Sequence, residues 1–588
     1  MNRYQETLGQ FGRADKWFNI AFLETVECHG IRIPEAISAF AFRILRTLPS
    51  SARPNRMRST RLHFMPLSPV LLRKLNDAFI HRRVDEGILL LDKSGKEIAG
   101  LHRSDPHAAS CLLCVAQWVD VGYRDVAFLD DLIAIFSDAS RARMRFSDYI
   151  CLRMVEGYRA FASEDAVSAI PIFDFVLRIE PGIVDPHVRT LAYFWKARAH
   201  RKQGEYELAF QDITEAKSLG SKLNAPKFLA VMKIHESWML FQRGQRKDAL
   251  RLLDEAEEEL KTTGHVLSLG NIESARGRFV RRSGEYGKAL DHFERAVAIY
   301  SERFPNHPNV ARALVNAAYV QRLMALDLNS KSNAGRASGA HHARYLEICR
   351  QALELLERAG DIYSHNHHQA GVGSVFVNAG YLHLDSGDID RAEDEAEKAF
   401  LLGNQTKDHI LMARARTLQS AIQNERAEEE LGESPDIAMH ANLARTYSEE
   451  AIALAKLTQN KRLLAGAYIA RSTTSASDFF QDWETAKQFA ALAGDLLSRE
   501  DRDHLSRELS QLKARILRAT GIDEMLRTWS AGIVNNKTFQ QVTEEFAEIV
   551  IPKVWMREDR KISRVASQLS MSPKKVRRIL NNANALKR

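Results

Sequence analysis

The chain has 588 residues, of which 83 are Lys or Arg and 75 are Asp or Glu, and its formal net charge is +8. This length exceeds what one compact core uses, so we expect two or three structural regions. No signal-peptide pattern or run of 18 apolar residues is found, so we expect a cytoplasmic protein without a membrane span. The cysteines are scattered and odd in number, which excludes a disulfide framework; they are Cys28, Cys111, Cys114, Cys151 and Cys349.

The first 150 residues predict a separate, mostly helical region. Within it, the segments 87–92 and 97–101 flank a Lys-Ser-Gly-Lys turn and predict a short β-hairpin. Cys111 and Cys114 have redox or zinc spacing, but they lie in an apolar helical stretch without a second pair. We therefore expect buried thiols there and no metal.

The middle of the chain repeats with a period of 40 residues, which predicts stacked helix pairs. Small residues recur at two phases, because antiparallel helices nest where one presents a small side chain and the other a bulky one. The first phase is Gly157, Ala197, Ser237 and Gly277, and the second is Ala169, Ala209, Ala249 and Ala289. Four residues after each of these alanines come Phe173, Ile213, Leu253 and Phe293.

The turns between these helices contain Gly204, Gly244 and Gly284, and two of them read Gly-Glu-Tyr. This order of small, glycine, small and aromatic residues resembles the tetratricopeptide repeat. The usual period is about 34 residues, and HEAT-like arrays run at about 40 to 47, so the period alone favours the latter. The turns favour the former. The resemblance implies an all-α, tetratricopeptide-like right-handed superhelix.

The repeats extend beyond residue 300. The segment Phe304–Val310, followed by Ala313–Ala318, resembles the repeat of kinesin light chains. Residues 329–343 are rich in Gly, Ser, Ala and Asn and predict a loop inserted before a helix at about 345–358. Another unit surrounds Gly387, and more degenerate helices follow, so the predicted array covers 151–515. The histidines near 341 and 365 predict a solvated loop in preference to a metal site.

The positive charge is concentrated at two places, which points to a polyanionic partner. Residues 41–84 hold ten basic residues and one acidic residue, and residues 552–588 hold eleven and two. For Arg53, Arg56, Arg58 and Arg61 in the first block, a solvated loop is favoured over an anion contact.

The last segment has the layout of a helix-turn-helix, assigned to residues 535–588. Ile562, Val565 and Leu569 form one apolar stripe, Val576 and Leu580 form another, and Ser572-Pro573 signals a helix start. The segment resembles the Fis-type helix-turn-helix of bacterial transcription regulators. It departs from that pattern at Ser570, where glycine is usual, and at Pro573, where Arg is common. The resemblance implies DNA contacts from Arg560, Lys561, Arg564, Ser572, Lys574, Lys575, Arg577 and Arg578.

Two alternatives stay open for this segment. A basic helical hairpin at a chain end also serves as a solvated cap on the array. A helix expected at 538–555 could pair with its copy in a second chain, because Fis-like proteins dimerise through helices at that position. The resemblance therefore implies a homodimer on a palindromic site.

In the array, positions +1, +4 and +5 after the first phase are expected on the concave surface. Together with Asn271 they resemble the carboxylate clamp by which some tetratricopeptide proteins hold acidic peptide ends, since paired arginines match a carboxylate. Ordinary solvated basic positions are the competing interpretation. The residues are Arg198, Arg201, Lys202, Trp238, Phe241, Asn271, Arg278, Arg281 and Arg282.

No phosphate-binding loop, nucleophile elbow or zinc-protease motif is present in the sequence, so we expect neither catalysis nor a cofactor. The preferred hypothesis is a DNA-binding transcriptional regulator whose array binds a protein or acidic peptide. The alternatives are a scaffold without a nucleic-acid role and an RNA-binding repeat protein.

Overall fold

The regular elements of this computed structural model are all helices over the residues that it describes, which are 69–582 apart from 103–104, 106, 125, 333–338, 430–435, 499, 520–536 and 559. These residues belong to one compact unit, Phe64–Arg588. Predictions for residues 1–68, including Cys28 and the four arginines between 53 and 61, lie outside the described part.

Six helices precede the array, and their buried residues, among them Phe79, Leu112 and Trp118, belong to an apolar core that continues into the first repeats. Cys111 and Cys114 are buried in this core, as expected for structural thiols. The helices are α1 (Pro69–Ile80), α2 (Val84–Lys93), α3 (Gly95–Ala99), α4 (Ala108–Val119), α5 (Phe128–Ala134) and α6 (Asp138–Arg141).

The hairpin predicted at 87–101 is wrong, because α2 and α3 occupy this segment. Val84, Gly87 and Leu91 are buried at helical spacing on one face of α2. Gly87 lies against the Trp118 ring, where even a Cβ atom would come within 1.9 Å of the indole. The helix therefore forms because a residue without a side chain allows close approach to a tryptophan 31 positions later.

Eight helix pairs and a final helix follow, each helix packed against its neighbours in the chain. The pairs are α7 (Phe146–Ala162) with α8 (Ala166–Arg178), α9 (Pro186–Gln203) with α10 (Tyr206–Lys222), α11 (Pro226–Gln242) with α12 (Arg246–Leu260), and α13 (Val266–Arg282) with α14 (Tyr286–Ser301). They continue as α15 (Pro308–Ser332) with α16 (Gly339–His365), α17 (Gln369–Asp385) with α18 (Ile389–Thr406), α19 (His409–Glu429) with α20 (Ile437–Lys456), α21 (Lys461–Ser475) with α22 (Trp483–Leu496), and then α23 (His504–Ala519).

The small residues at both repeat phases are buried, which confirms the packing inferred from the period. Ala169, Ala209, Ala249 and Ala289 are fully buried, as are the four large apolar residues that follow them. A Cβ atom on Gly277 would lie 2.9 Å from the ring of Phe293 in the partner helix. The turn glycines Gly204, Gly244 and Gly284 all have φ near +80°, the left-handed conformation that ends one helix before the next.

The loop predicted at 329–343 is wrong at both of its ends. Helix α15 extends to Ser332 and α16 begins at Gly339, so both ends of the predicted loop are helical, and its centre at 333–338 lies outside the described residues. Small and polar residues can continue a helix when its other face packs on a neighbour, and α15 and α16 pack along their length.

The superhelix closes on itself through contacts between turns that are far apart in the chain. The amide of Gln459 donates to the carbonyl of Gly204 at 3.0 Å, and the amide of Arg502 donates to the carbonyl of Arg282 at 2.9 Å. The amide of Ala370 donates to the Glu164 carboxylate at 3.0 Å. Turns from the first half of the array therefore touch turns from the second half, and the inner face between them forms a channel.

Three further helices end the described chain: α24 (Phe539–Arg557), α25 (Ile562–Gln568) and α26 (Pro573–Asn582). A capping box starts α24, because the hydroxyl of Thr538 accepts from the Gln541 amide and the Gln541 side chain accepts from the Thr538 amide. The three helices share an apolar core that includes Ile551, Val565 and Leu580. Over the described residues, no helix is both long enough and apolar enough to cross a membrane.

Candidate functional site

The first helix of each pair lines the inside of the superhelix. A cavity of about 690 Å³ runs along this inner face from α10 to α23 and is walled by arginines and aromatic rings, among them Arg281, Arg312, Arg414, Trp238 and Tyr363. A second cavity of about 640 Å³ shares Arg282 with it, and a third of about 340 Å³ shares Arg312 and Tyr363. The three cavities adjoin.

Two of the predicted partner residues on α13, Arg281 and Arg282, line this channel and donate to neutral groups. The Arg281 guanidinium donates to Asn316 Oδ1 at 3.1 Å, and Arg282 donates to Gln242 Oε1 at 3.0 Å. Arg278 lies over the Trp238 ring, with 4.5 Å from the guanidinium carbon to the ring centre. Aromatic faces attract these cations without neutralising them.

Phe241 and Asn271 serve mainly to position other groups. The Phe241 ring stacks on the Phe279 ring with 3.9 Å between their centroids. The guanidinium carbon of Arg282 lies 4.2 Å from the centroid of the Phe241 ring. Asn271 Oδ1 accepts from the Tyr300 hydroxyl at 2.8 Å and from Arg312 at 2.7 Å. Asn271 therefore fixes an arginine that the sequence analysis did not select.

The three basic residues predicted on α9 differ in their surroundings. Arg198 donates to both carboxylate oxygens of Asp120 at 2.7 Å, so its charge is already matched. Lys202 donates to the Phe161 carbonyl at 3.1 Å and lines the third cavity with Arg201. Six of the nine predicted residues therefore line the adjoining cavities, and the nine do not form a single flat clamp. The six are Arg201, Lys202, Trp238, Phe241, Arg281 and Arg282, whereas Arg198, Asn271 and Arg278 line none of the three cavities.

Arg312 and Arg414 are the channel residues that sequence reasoning missed. A usable signal existed, because each lies six residues before a buried small residue, the position that identified Asn271 before Gly277. The corresponding small residues are Ala318 and Ser420, both of which are buried. Irregular spacing after residue 300 hid this phase.

Burial and mutual repulsion act on the channel arginines. Burial, together with the charges of Arg312 and Arg198, lowers the pKa of Arg201 to about 10. Burial likewise lowers the pKa of Arg278 well below its ordinary value, with contributions from Arg312 and Arg201. Like charges therefore face one another across the channel.

The C-terminal helices present a basic surface. Val576, Ile579 and Leu580 of α26 are buried, whereas the other side of this helix is exposed. The Ser572 hydroxyl caps the helix by accepting from the Lys575 amide at 3.2 Å. Ser570 adopts φ of +51°, the left-handed conformation that glycine usually supplies at such a turn. All eight predicted DNA contacts are exposed: Arg560, Lys561, Arg564, Ser572, Lys574, Lys575, Arg577 and Arg578.

The histidines near residue 365 have a structural environment. His368 caps α17 by accepting from the Gly371 amide at 3.0 Å. Over the described residues, no cluster of His, Cys, Asp or Glu side chains is arranged to hold a metal ion.

The model of one protein family, the tetratricopeptide repeat, matches residues 268–327. This match covers most of α13, all of α14 and most of α15. The array is tetratricopeptide-like. The predicted all-α superhelical fold is therefore confirmed.

Solved structures with a similar arrangement of helices share little sequence with this chain. A Rap protein complexed with competence and sporulation factor is 10% identical, with 76% of this chain and 98% of that chain covered and a TM-score of 0.46. A human IFIT1 dimer with m7Gppp-AAAA is 12% identical, with 78% and 96% covered and a TM-score of 0.41. The quorum sensor NprR from B. thuringiensis is 14% identical, with 73% and 98% covered and a TM-score of 0.37. No curated protein matches the sequence.

Proposed function

We propose that this protein is a cytoplasmic DNA-binding transcriptional regulator whose repeat array binds a protein or peptide partner. The observation that carries the DNA-binding half is the division of α26 into a buried apolar side and an exposed basic side. Lys574, Lys575, Arg577 and Arg578 all project from a helix whose apolar side chains are occupied in the core with α24 and α25. A short basic helix held in this way matches the width of a major groove.

Residues before the turn extend the same basic surface. Arg560, Lys561 and Arg564 are exposed at the start of α25. Contacts from such residues to phosphates release counterions, so affinity would fall steeply with salt. The first helix would thereby orient the second on the duplex.

An apolar stripe on α24 that is exposed at three of its five positions supports pairing of two chains. Phe539, Val542, Phe546, Ile549 and Met556 follow the three- and four-residue spacing of a coiled-coil seam. Phe539 is 88% exposed and Met556 is 58% exposed, although both are large and apolar. The opposite side of α24 is already packed against the two shorter helices through Ile551 and Trp555. A dimer formed by this stripe would present two copies of α26 to a palindromic site.

Binding of a partner to the array would change the affinity for DNA through thermodynamic linkage between the two sites. A ligand that prefers one arrangement of the superhelix shifts the population of that arrangement, and DNA affinity changes only if the two arrangements present the C-terminal helices differently.

DNA affinity measured at several salt concentrations tests the proposal. Genomic duplex fragments selected by the protein provide the probe, and the variant combines Lys574→Ala, Lys575→Ala and Arg578→Ala. We expect at least a tenfold loss of affinity at about 0.1 M salt and a shallower dependence on salt, since three phosphate or base contacts disappear. Light scattering on the same protein reports whether chains pair.

A matched control removes three exposed positive charges elsewhere, through Arg251→Ala, Lys261→Ala and Lys288→Ala on outer helices of the array. If both triple variants bind duplex DNA equally, the DNA-binding proposal fails and the scaffold alternative takes its place. Preference for single-stranded RNA in the same assay would favour the RNA-binding alternative.

A further inference from the structure

Six arginines in or beside the channel lack an ion pair with a carboxylate among the described residues. Five of them line its cavities, and the sixth, Arg278, lies over the ring of Trp238, which lines the first cavity. Four of them donate to neutral groups: Arg312 to Asn271, Arg281 to Asn316, Arg282 to Gln242, and Arg414 to Ser374. For Arg201 and Arg278, no side-chain hydrogen bond or ion pair is formed within the described residues, and the Nε atoms of both are buried without an acceptor. These arginines are held in place without an ion pair, although Glu425, Glu428 and Glu508 also line the first cavity.

The outer parts of the same helices show the opposite pattern. Arg276 on α13 pairs with Asp254, Glu257 and Glu273 at 2.6 to 3.1 Å, and these carboxylates help to raise its pKa. Arg278, only two residues later, has none. The chain contains 75 acidic residues, so their absence around Arg278 is local and not a matter of composition.

Placing these buried positive charges close together is electrostatically unfavourable for the folded protein. Besides burial, the charge of Arg312 lowers the pKa of both Arg201 and Arg278, and the charge of Arg201 adds to the shift at Arg278. Burial and the charges of the same arginines also hold the pKa of His235 well below its ordinary value. Buried positive charge without a counter-charge destabilises a protein. Binding of an anion would remove this cost.

The size and walls of the channel restrict what fits. Its largest cavity, about 690 Å³, is in the range of sites for compact ligands and is too small for a folded domain. Residues from both halves of the array reach it, because the closing turn contacts bring α17 and α19 opposite α13. Trp238, Tyr319 and Tyr363 supply flat apolar walls between the charged groups.

We propose that the channel binds a compact ligand that carries at least two anionic oxygens, held by Arg278 and Arg312 together with Arg201 and Arg414. Planar guanidinium groups match carboxylate or phosphate oxygens with two parallel hydrogen bonds, so several arginines favour a multiply charged ligand over a single carboxylate. This inference rests on the proposed function, because it names the chemistry of the array's ligand.

Calorimetric titration of the full chain at constant ionic strength tests the inference, with pyrophosphate and citrate as separate probes. We expect saturable binding of at least one probe and a higher melting temperature in its presence. Preference for pyrophosphate indicates a phosphorylated ligand, and preference for citrate indicates a polycarboxylate such as an acidic peptide end.

Two substitutions on one helix provide the critical comparison. Arg278→Gln should weaken binding about tenfold or more and raise the melting temperature of the free protein, because it removes an uncompensated charge. Arg276→Gln should leave binding unchanged and lower the melting temperature, because it breaks ion pairs. Arg312→Gln should behave like Arg278→Gln in binding.

The inference is overturned if neither probe binds, or if Arg276→Gln and Arg278→Gln weaken binding equally. The triple variant of α26 separates this result from the DNA-binding proposal. That variant should lose DNA and keep the anion, whereas the Arg278→Gln variant should lose the anion and keep its basal DNA affinity.

Discussion

His187 shows how the surroundings of one side chain set its charge. Its Nε2 donates to the Oε1 of buried Gln117 at 2.9 Å, and its ring lies edge-on to Phe79 and tilted against Phe228. Burial lowers its pKa to about 4, with Asp185 opposing the shift and Arg82 adding to it. The ring is therefore neutral at pH 7 and joins the N-terminal helices to the array.

This burial makes stability depend on pH in a defined direction. The unfolded chain binds a proton at His187 near pH 6.5 and the folded chain only near pH 4, so stability is lost as the pH falls through this window. We expect His187→Gln to flatten this part of the pH profile by on the order of 1 to 3 kcal/mol. Urea titrations between pH 7 and 4 measure the effect.

The exposed His365 offers a matched substitution, His365→Gln, which should leave the profile close to that of the wild type. If the two variants have the same profile as the unaltered chain, the neutral buried state assigned to His187 is wrong.

The helices differ in how well their own local sequence predicts them. The small residues that recur every 40 positions predict the helix pairs of the array. The Ser572-Pro573 start and the spacing of apolar residues predict α26. The segment 87–101 is different, because its run of leucines fits a strand or a helix equally well and a turn-like sequence follows. Its helical state depends on Trp118, whose position against Gly87 no local pattern reveals.

Gly87 is therefore the position at which the helix-to-helix contact can be tested. Gly87→Ala should destabilise the protein by about 1 to 3 kcal/mol, because the added methyl group meets the Trp118 ring, whereas the same change usually favours a helix. Thermal or urea unfolding measures the loss. Gly95→Ala in α3 is the control, since nothing lies within 4 Å of its Cβ position, and it should be neutral or slightly stabilising. Equal effects of the two changes would argue against the packing of α2 on α4.

The candidate sites were predictable to different degrees for a physical reason. Exposed basic residues on α26 follow directly from its amphipathic pattern. In the channel, the phase located Arg278, Arg281 and Arg282 on the inner face but did not distinguish Arg198, whose charge is matched by Asp120 from outside the repeats. Pairing of charges depends on neighbours remote in sequence, and a repeat phase carries no information about them.

At the scale of the whole molecule, the closure of the superhelix was not predicted. It depends on backbone contacts between turns, and these are available to almost any sequence that brings the turns together. Glycine makes one of these approaches possible: a Cβ atom on Gly284 would lie 2.7 Å from the carbonyl oxygen of Arg502. Gly244, one repeat earlier, has the same left-handed backbone and nothing within 4 Å.

These two glycines separate local strain from closure. Gly244→Ala should cost about 1 to 2 kcal/mol from its positive φ alone. Gly284→Ala should cost more and should also enlarge the molecule, because the segment around Arg502 must move away. Unfolding measurements give the energies and small-angle X-ray scattering gives the radius of gyration. If both variants lose the same stability and keep the same radius, the contact between these turns does not hold the ring closed.

Closure also changes how the array is expected to fold. In an open solenoid each repeat is stabilised only by its neighbours, so the ends can unravel independently. Here the Glu164 carboxylate accepts from an amide 206 residues later, and the amide of Glu207 donates to the side chain of Gln459, 252 residues later. Such contacts are entropically expensive to form, so helix pairs assemble first and the ring joins last. The first and last repeats then unfold as one cooperative body, and a fragment that ends before residue 459 lacks partners that its own early repeats require.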